Sequence, residues 1–223
     1  MLQQTQVPRV IGKYNEFLKK FPTVQALARA PLAKVLKVWS GLGYNRRAKF
    51  LRDAAVQIVE KYDGKVPCDY DSLRTLSGIG DYTARAIRVF AFNEPDTLLE
   101  TNIRTVLIHH IYSDVLKNIG ISDAELATVA REVATAQDPR EWHWALMDYG
   151  AHLKKTGIRN NHKSAHYVRQ SNFEGSLRQV RGQVLRDLMK GAKGRKGKKW
   201  AEALASLARD GLVAGQKGTW RIA

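Results

Sequence analysis

Apolar residues return at helical spacing along most of this chain, and turn-forming residues break the pattern at short intervals. Val7, Val10, Ile11, Tyr14, Phe17, Leu18 and Phe21 share one helix face. Thr23 predicts the start of a second helix in FPTVQALARA, and Pro31 the first position of a third in PLAKVLKVW. A longer helix is expected over residues 45–62, ended by Asp63 and Gly64. Others are expected over 69–76, 82–92, 101–112, 122–136 and 141–152, the last opened by Pro139. Almost nothing before residue 210 alternates with period two. The main body is therefore expected to be all-α, and 223 residues are enough to bury a genuine core.

A formal net charge of +16 favours a polyanionic partner, nucleic acid first, with an anionic membrane surface as the rival. No stretch approaches the ~18 apolar residues of a membrane span. The polar opening MLQQTQ lacks the pattern of a secretory signal. Cys68 is the single cysteine, which excludes an internal disulfide, a four-cysteine iron–sulfur cluster and most zinc modules. No cofactor and no metal site are expected, and the adjacent His109 and His110 point different ways on a helix with no further ligands spaced around them. A cytoplasmic protein is expected.

Residues 1–149 carry 20 Lys/Arg and 17 Asp/Glu, a net of +3, whereas residues 150–223 carry 17 and 4, a net of +13. KKTGIRNNHKSAHYVRQSN, residues 154–172, is polar, basic and weakly periodic, as a strap or linker would be. Leu177, Val180, Val184, Leu185 and Leu188 then share a helix face over 176–189. A Gly/Lys loop, KGAKGRKGKK, separates it from a helix over 200–209, and GLVAGQKGTWRI reads as a β-hairpin. The expected organisation is a helical domain over 1–155, a basic strap over 156–175 and a small winged-helix-like α+β tail over 176–223. Lys196, Lys198 and Lys199 are candidate phosphate contacts, the alternative being a solvated segment.

In LSGIGDYTARAI, the pair Gly78 and Gly80 permits positive φ and a tight reversal, with Ile79 plugged between the flanking helices. The helix that starts near Asp81 offers outward backbone N–H groups as an anion site, which would hold a phosphate without reading sequence. A plain helix–helix turn has the same local signature. Further on, LLETNIRTV places Glu100 in apolar, neutral surroundings. Taken alone it is equally an acid stabilising a helix N-terminus and a carboxylate kept for chemistry.

These stretches, together with MLQQTQVPRV (residues 1–10), GLGYNRRAKFLRDAA (41–55) and ALMDYGAHL (145–153), resemble in order and spacing the helix-hairpin-helix (HhH-GPD) DNA glycosylases of the endonuclease III and MutY type. The resemblance covers roughly residues 1–155, and MLQQTQV points to the MutY branch of adenine glycosylases. It implies a two-lobed helical fold that flips a base out of the duplex and cuts its N-glycosidic bond. A carboxylate then stabilises an oxocarbenium-like transition state. The family's acid matches Glu100, although aspartate is usual there, and the extra methylene displaces the carboxylate by about 1.5 Å. Asp96, in the turn NEPD, is out of register.

Bifunctional relatives carry a Schiff-base lysine where this chain has Tyr82, so hydrolysis without strand cleavage is implied. The resemblance places Gln3 and Gln4 in the gap left by the flipped base, and Leu42 and Tyr44 as the wedge opening the stack. It sets Arg46, Arg47 and Lys49 on phosphates, and the hairpin residues Gly78, Ile79, Gly80, Asp81 and Thr83 against the backbone. Trp142, Trp144 and Tyr149 are expected in the core. The glutamate that protonates the leaving adenine in MutY enzymes, two residues upstream of the heptad, would precede Met1, as would the preceding helix. Either the protein extends upstream of these residues or this version of the fold does without them. The segment 154–172 must replace the family's cluster by hydrogen bonds and packing, and the tail is too short for an 8-oxoguanine-recognition domain.

The expected function is that of a monofunctional DNA glycosylase of base excision repair, acting as a nucleoid-associated monomer on double-stranded DNA, with adenine opposite 8-oxoguanine or guanine as its substrate. A uracil/thymine mismatch glycosylase of the same fold and a non-catalytic lesion-binding protein are the alternatives.

Overall fold

Helix ends fall where the local chemistry puts them. In the computed structural model, which covers residues 1–223, all are described except 113–119, 166, 168–171, 192–196 and 217–218. α1 (Val7–Lys20) has Pro8 in its first turn. α2 (Val24–Ala28) is capped by the Thr23 hydroxyl, which accepts from the Ala26 N–H at 3.1 Å. α3 (Leu32–Trp39) follows Pro31, which stands at the cap. α4 (Arg46–Tyr62) ends at Asp63 in the left-handed conformation. α5 (Tyr70–Thr75) leads through the glycine hairpin to α6 (Asp81–Ile87), which runs on as a π-helical turn over Arg88–Phe92.

α7 (Thr101–Ile111) is capped by Glu100, and α8 (Asp123–Val133) by a reciprocal capping box between Ser122 and Glu125. α9 (Pro139–Lys155) is capped by Asp138 with proline in the first turn, and a 3₁₀ turn over Asn160–Lys163 follows. α10 (Leu177–Met189) and α11 (Lys198–Arg209) precede an antiparallel hairpin of β1 (Val213–Gln216) and β2 (Thr219–Ile222). Val213 pairs with Ile222 and Ala214 with Arg221. The fold is helical, with a winged-helix-like α+β element at the C-terminal end.

The chain divides into two compact units that do not follow the linear boundaries expected at residues 155 and 175. The first unit takes Met1–Pro67, Leu76–Gly78 and Ser171–Ala223; the second takes Cys68–Thr75 and Ile79–Gln170. In the first, Phe17, Val35, Leu36 and Trp39 of α1 and α3 share one core with Val184, Leu185, Ala203, Leu207 and Leu212. About fifty residues enclose too little apolar surface to stand alone, so α10 and α11 bury their faces against the N-terminal helices.

The second unit is built on α7, whose Ile103, Leu107 and Ile108 are buried with Val89, Leu98, Leu126, Leu146 and Leu153. α9 approaches so closely that a Cβ at Gly150 would lie 2.3 Å from the Asn102 carbonyl oxygen. The segment after α9 is tied in by strand-like bonds. Ile121 N–H donates to the Lys163 carbonyl and Ala165 N–H to that of Ile121, both at 3.0 Å, and Ser164 is buried. Trp142 packs against this core, but Trp144 and Tyr149 do not follow the expectation of burial. Trp144 stacks on Phe90 at the surface, and Tyr149 lies between the exposed rings of His110 and His152.

The Gly150–Asn102 approach gives a stability prediction. Gly150→Ala must push α9 off a backbone carbonyl, and overpacking of this kind costs about 1–3 kcal/mol. Thermal unfolding should show a lower Tm for Gly150→Ala, whereas Gly157→Ala, which meets no neighbouring atom within 4 Å, is limited to the strain of its φ of +98°.

Candidate active site

Glu100 terminates an extended segment and folds its side chain back over the start of α7. Its Oε1 accepts from the N–H groups of Asn102 at 2.7 Å and Ile103 at 2.9 Å. Oε2 has no hydrogen-bond partner among the described residues. Burial pushes the pKa of Glu100 above the ordinary glutamate value; the two N–H bonds and the charges of Lys154 and Arg104 oppose that shift. One oxygen of Glu100 therefore caps the helix, and the other is left without a hydrogen-bond partner among the described residues.

Tyr82, on the first turn of α6, is half-buried and feels the Glu100 charge. Burial first, and then that carboxylate, raises its phenol pKa. Its ring borders a cavity of about 840 Å³ also lined by Arg85, Asp96, Leu99, Arg104 and Asp123. The charges there are matched. Arg104 is bidentate to Asp123 at 2.9 and 2.6 Å, and Asp96 receives Arg85 at 2.5 Å and Arg88 at 3.0 Å. Asp96 is thus occupied in holding the turn. A smaller cavity, about 490 Å³, begins at Thr101, next to Glu100, and is lined by Lys154, Arg159, Asn161, His162 and Tyr167. It carries cationic groups and no carboxylate. Lys154 and Arg159 were not legible as site residues, because a basic strap looks alike wherever it docks.

In the hairpin only Gly78 has positive φ, +74°, and a Cβ there would lie 2.5 Å from Phe50. Gly80 is extended and caps α6 with no side-chain bond. The Asp81 carboxylate accepts from the Tyr70 hydroxyl at 2.6 Å and from Arg85, which hold its pKa below the usual range. Its side chain therefore repels a phosphate, and only the backbone of Asp81 suits an anion. Ile79 and Thr83 are half-buried.

The first unit holds the residues expected to probe a duplex. Gln3, Gln4 and Tyr44 are exposed, and Gln4 and Tyr44 have left-handed backbones, φ +55° and +46°. Each such conformation costs an ordinary residue about 1–2 kcal/mol. Two expectations are corrected. Leu42 is a core residue, 2% exposed, in the same buried cluster as Trp39, so of the two residues expected as a wedge only Tyr44 is exposed. Arg47 does not project to solvent: its guanidinium donates to the carbonyls of Met1, Gln3, Leu42 and Gly43 and to the Thr5 hydroxyl. Arg46 remains largely exposed, with its guanidinium over the Phe50 ring, and Lys49 pairs with Asp53. Lys198 and Lys199 are exposed at the start of α11, Lys199 donating to the Gly175 carbonyl; Lys196 lies outside the described residues.

The model of the HhH-GPD superfamily of base excision DNA repair proteins matches residues 1–143. The chain belongs to that superfamily. An adenine DNA glycosylase of Mycolicibacterium smegmatis is 36% identical over 205 residues, covering 83% of this chain and 68% of the relative. One from Buchnera aphidicola is 38% identical over 151 residues, covering 68% of this chain but 42% of the relative. A solved thermostable thymine-DNA glycosylase superposes with a TM-score of 0.58 at 24% identity, covering 67% of this chain and 69% of that one, a likeness of fold. The HhH-GPD chain's single cysteine, the exposed Cys68, does not fit the four-thiolate cluster that its resemblance to MutY enzymes would bring. Among the described residues no three His, Cys, Asp or Glu side chains are grouped to hold a metal, and no helix is long and apolar enough to cross a membrane.

The raised pKa of Glu100 has a signed consequence. A carboxyl whose folded pKa exceeds its unfolded one adds stability below the unfolded value, about 4.3, and loses it as pH rises through the folded value. Glu100→Gln keeps a capping oxygen without the charge. Its Tm relative to wild type should therefore climb as pH rises across that window, and a flat difference would show that the carboxylate is not desolvated.

Proposed function

We propose that this protein is a monofunctional DNA glycosylase that hydrolyses the N-glycosidic bond of adenine mispaired with 8-oxoguanine or guanine in double-stranded DNA, working as a monomer in the cytoplasm at the nucleoid. The observation that carries the reading is Glu100: a desolvated carboxylate with one oxygen uncommitted, in a member of the HhH-GPD superfamily whose relatives include adenine DNA glycosylases.

In this reading an extruded nucleotide sets its sugar beside Glu100. The C1′–N9 bond breaks with its electron pair going to adenine, and C1′ acquires oxocarbenium character, which the carboxylate stabilises. Water supplies hydroxyl to C1′, and its remaining proton goes to the departing base. Low local dielectric strengthens the attraction between Oε2 and the sugar cation, and the α7 N–H groups keep Glu100 aimed without neutralising it. Tyr82 is a phenol with a raised pKa, which forms no Schiff base, so the abasic site should leave without strand cleavage.

Single-turnover reactions on duplexes carrying A:8-oxoG, A:G, U:G or T:G, developed with alkali, test this. Base loss is expected first from the adenine duplexes, with breaks only after alkali and no adduct trapped by borohydride. Glu100→Gln should slow it by about 10²–10³. The wild-type rate should rise with pH through a midpoint above that of an exposed glutamate, since only the ionised form stabilises a cation. Faster loss of uracil or thymine would transfer the substrate to pyrimidines; no loss from any duplex would leave a lesion-binding protein.

A further inference from the structure

Arg47 sits at the start of α4 and reaches two separate stretches of the first unit. One Nη donates to the carbonyls of Met1 at 3.0 Å and Gln3 at 2.7 Å. The other donates to the Thr5 hydroxyl at 3.1 Å and to the carbonyls of Leu42 and Gly43 at 3.4 Å. The guanidinium carbon lies 5.4 Å from the Trp39 ring centroid and 5.5 Å from that of Tyr44, and Nε is buried with no hydrogen-bond partner among the described residues. The Trp39 indole N–H donates to the Gly43 carbonyl at 3.1 Å, and the Thr5 hydroxyl to that of Leu42 at 3.3 Å.

The register of these bonds carries the argument. The carbonyls of Gln3 and Gly43 immediately precede Gln4 and Tyr44, two exposed residues whose backbones are left-handed. Arg47 thus holds the peptide in front of each strained residue. A planar fork of donors is suited to this, and the single ammonium of a lysine is not. Tyr44 has a second tether, its hydroxyl lying 2.9 Å from Arg178 Nη1 on α10.

We propose that Arg47 is a positioning residue that locks residues 1–5 and 42–44 into one preset arrangement, so that Gln4 and Tyr44 enter a distorted duplex without first being ordered. The inference rests on the DNA-binding reading above and deepens it: recognition of the mispair is prepaid in the free protein. Loss of such preorganisation weakens the mispaired complex and leaves general attraction to the phosphate backbone intact.

The test compares wild type with Arg47→Lys, Arg47→Met and, as a milder lesion of the same clamp, Thr5→Val. Affinity is measured for A:G and fully paired duplexes between 50 and 200 mM salt, and stacking loss by the fluorescence of 2-aminopurine next to the mispair. Arg47→Met and Arg47→Lys should both lose roughly tenfold or more in preference for the mispair. Neither should change the slope of log affinity against log salt. Thr5→Val should lose preference in the same direction, and the 2-aminopurine signal should fall in step. The proposal is overturned if Arg47→Lys restores wild-type preference, or if Arg47→Met lowers the slope by about 0.9, as removal of one phosphate contact would. Should either Arg47 variant fail to unfold cooperatively, unchanged preference in Thr5→Val overturns it instead. Absence of DNA binding by wild type would sink the underlying reading, an outcome distinct from each of these.

Discussion

The charge of Glu100 is poised between opposing influences, and the second unit is arranged around that balance. Burial favours the neutral acid, while the N–H groups of Asn102 and Ile103, Lys154 and Arg104 favour the carboxylate. The same N–H bonds start α7, so the group's aim and the helix's position have one cause. α7 is then held from the other sides: Gly150 lets α9 approach Asn102, and Arg104 grips Asp123 at the start of α8. A displaced α7 would carry the carboxylate with it.

The first unit is built differently, because the exposed Gln4 and Tyr44 are held by bonds to their own backbone neighbours. Its core is completed by the two ends of the chain, with Trp39 and Leu42 beside residues from α10 and α11. That core supports a turn whose side chains would otherwise relax. The Arg47 clamp acts on that turn from within α4, and the Arg178–Tyr44 bond acts on it from a helix 134 residues further along the chain. The C-terminal α+β element is consequently part of the unit that carries Gln4 and Tyr44, not a detachable accessory.

Much of the secondary structure was legible because its signals are local. Thr23, Ser122 and Asp138 cap helices through bonds spanning three residues, and Asp63 closes α4 by its own backbone conformation. Glu100 and Tyr82 were legible through the spacing of a family motif, and both sit in the unit built on α7. Leu42 and Arg47 stand elsewhere than expected for a shared reason. Each was read from its residue type, an apolar wedge and a cation for phosphate, whereas its place depends on partners far off in sequence: Leu42 joins a core completed by Val184, Leu185 and Leu207, and Arg47 reaches back more than forty residues to Met1. Trp144 and Tyr149 misled likewise, since helical spacing does not say which face another element covers.

The sequence by itself determined the helical architecture, the hairpin followed by an acid, the single cysteine and the concentration of positive charge in the last third. These follow from periodicity, turn chemistry and counting, none of which requires distant contacts. Only the tertiary structure decided that both chain ends build one core, that one oxygen of Glu100 caps a helix while the other is uncommitted, and that Arg47 faces inward. Those outcomes depend on desolvation and on hydrogen bonds closed over long loops, and such quantities exist only once the chain has folded.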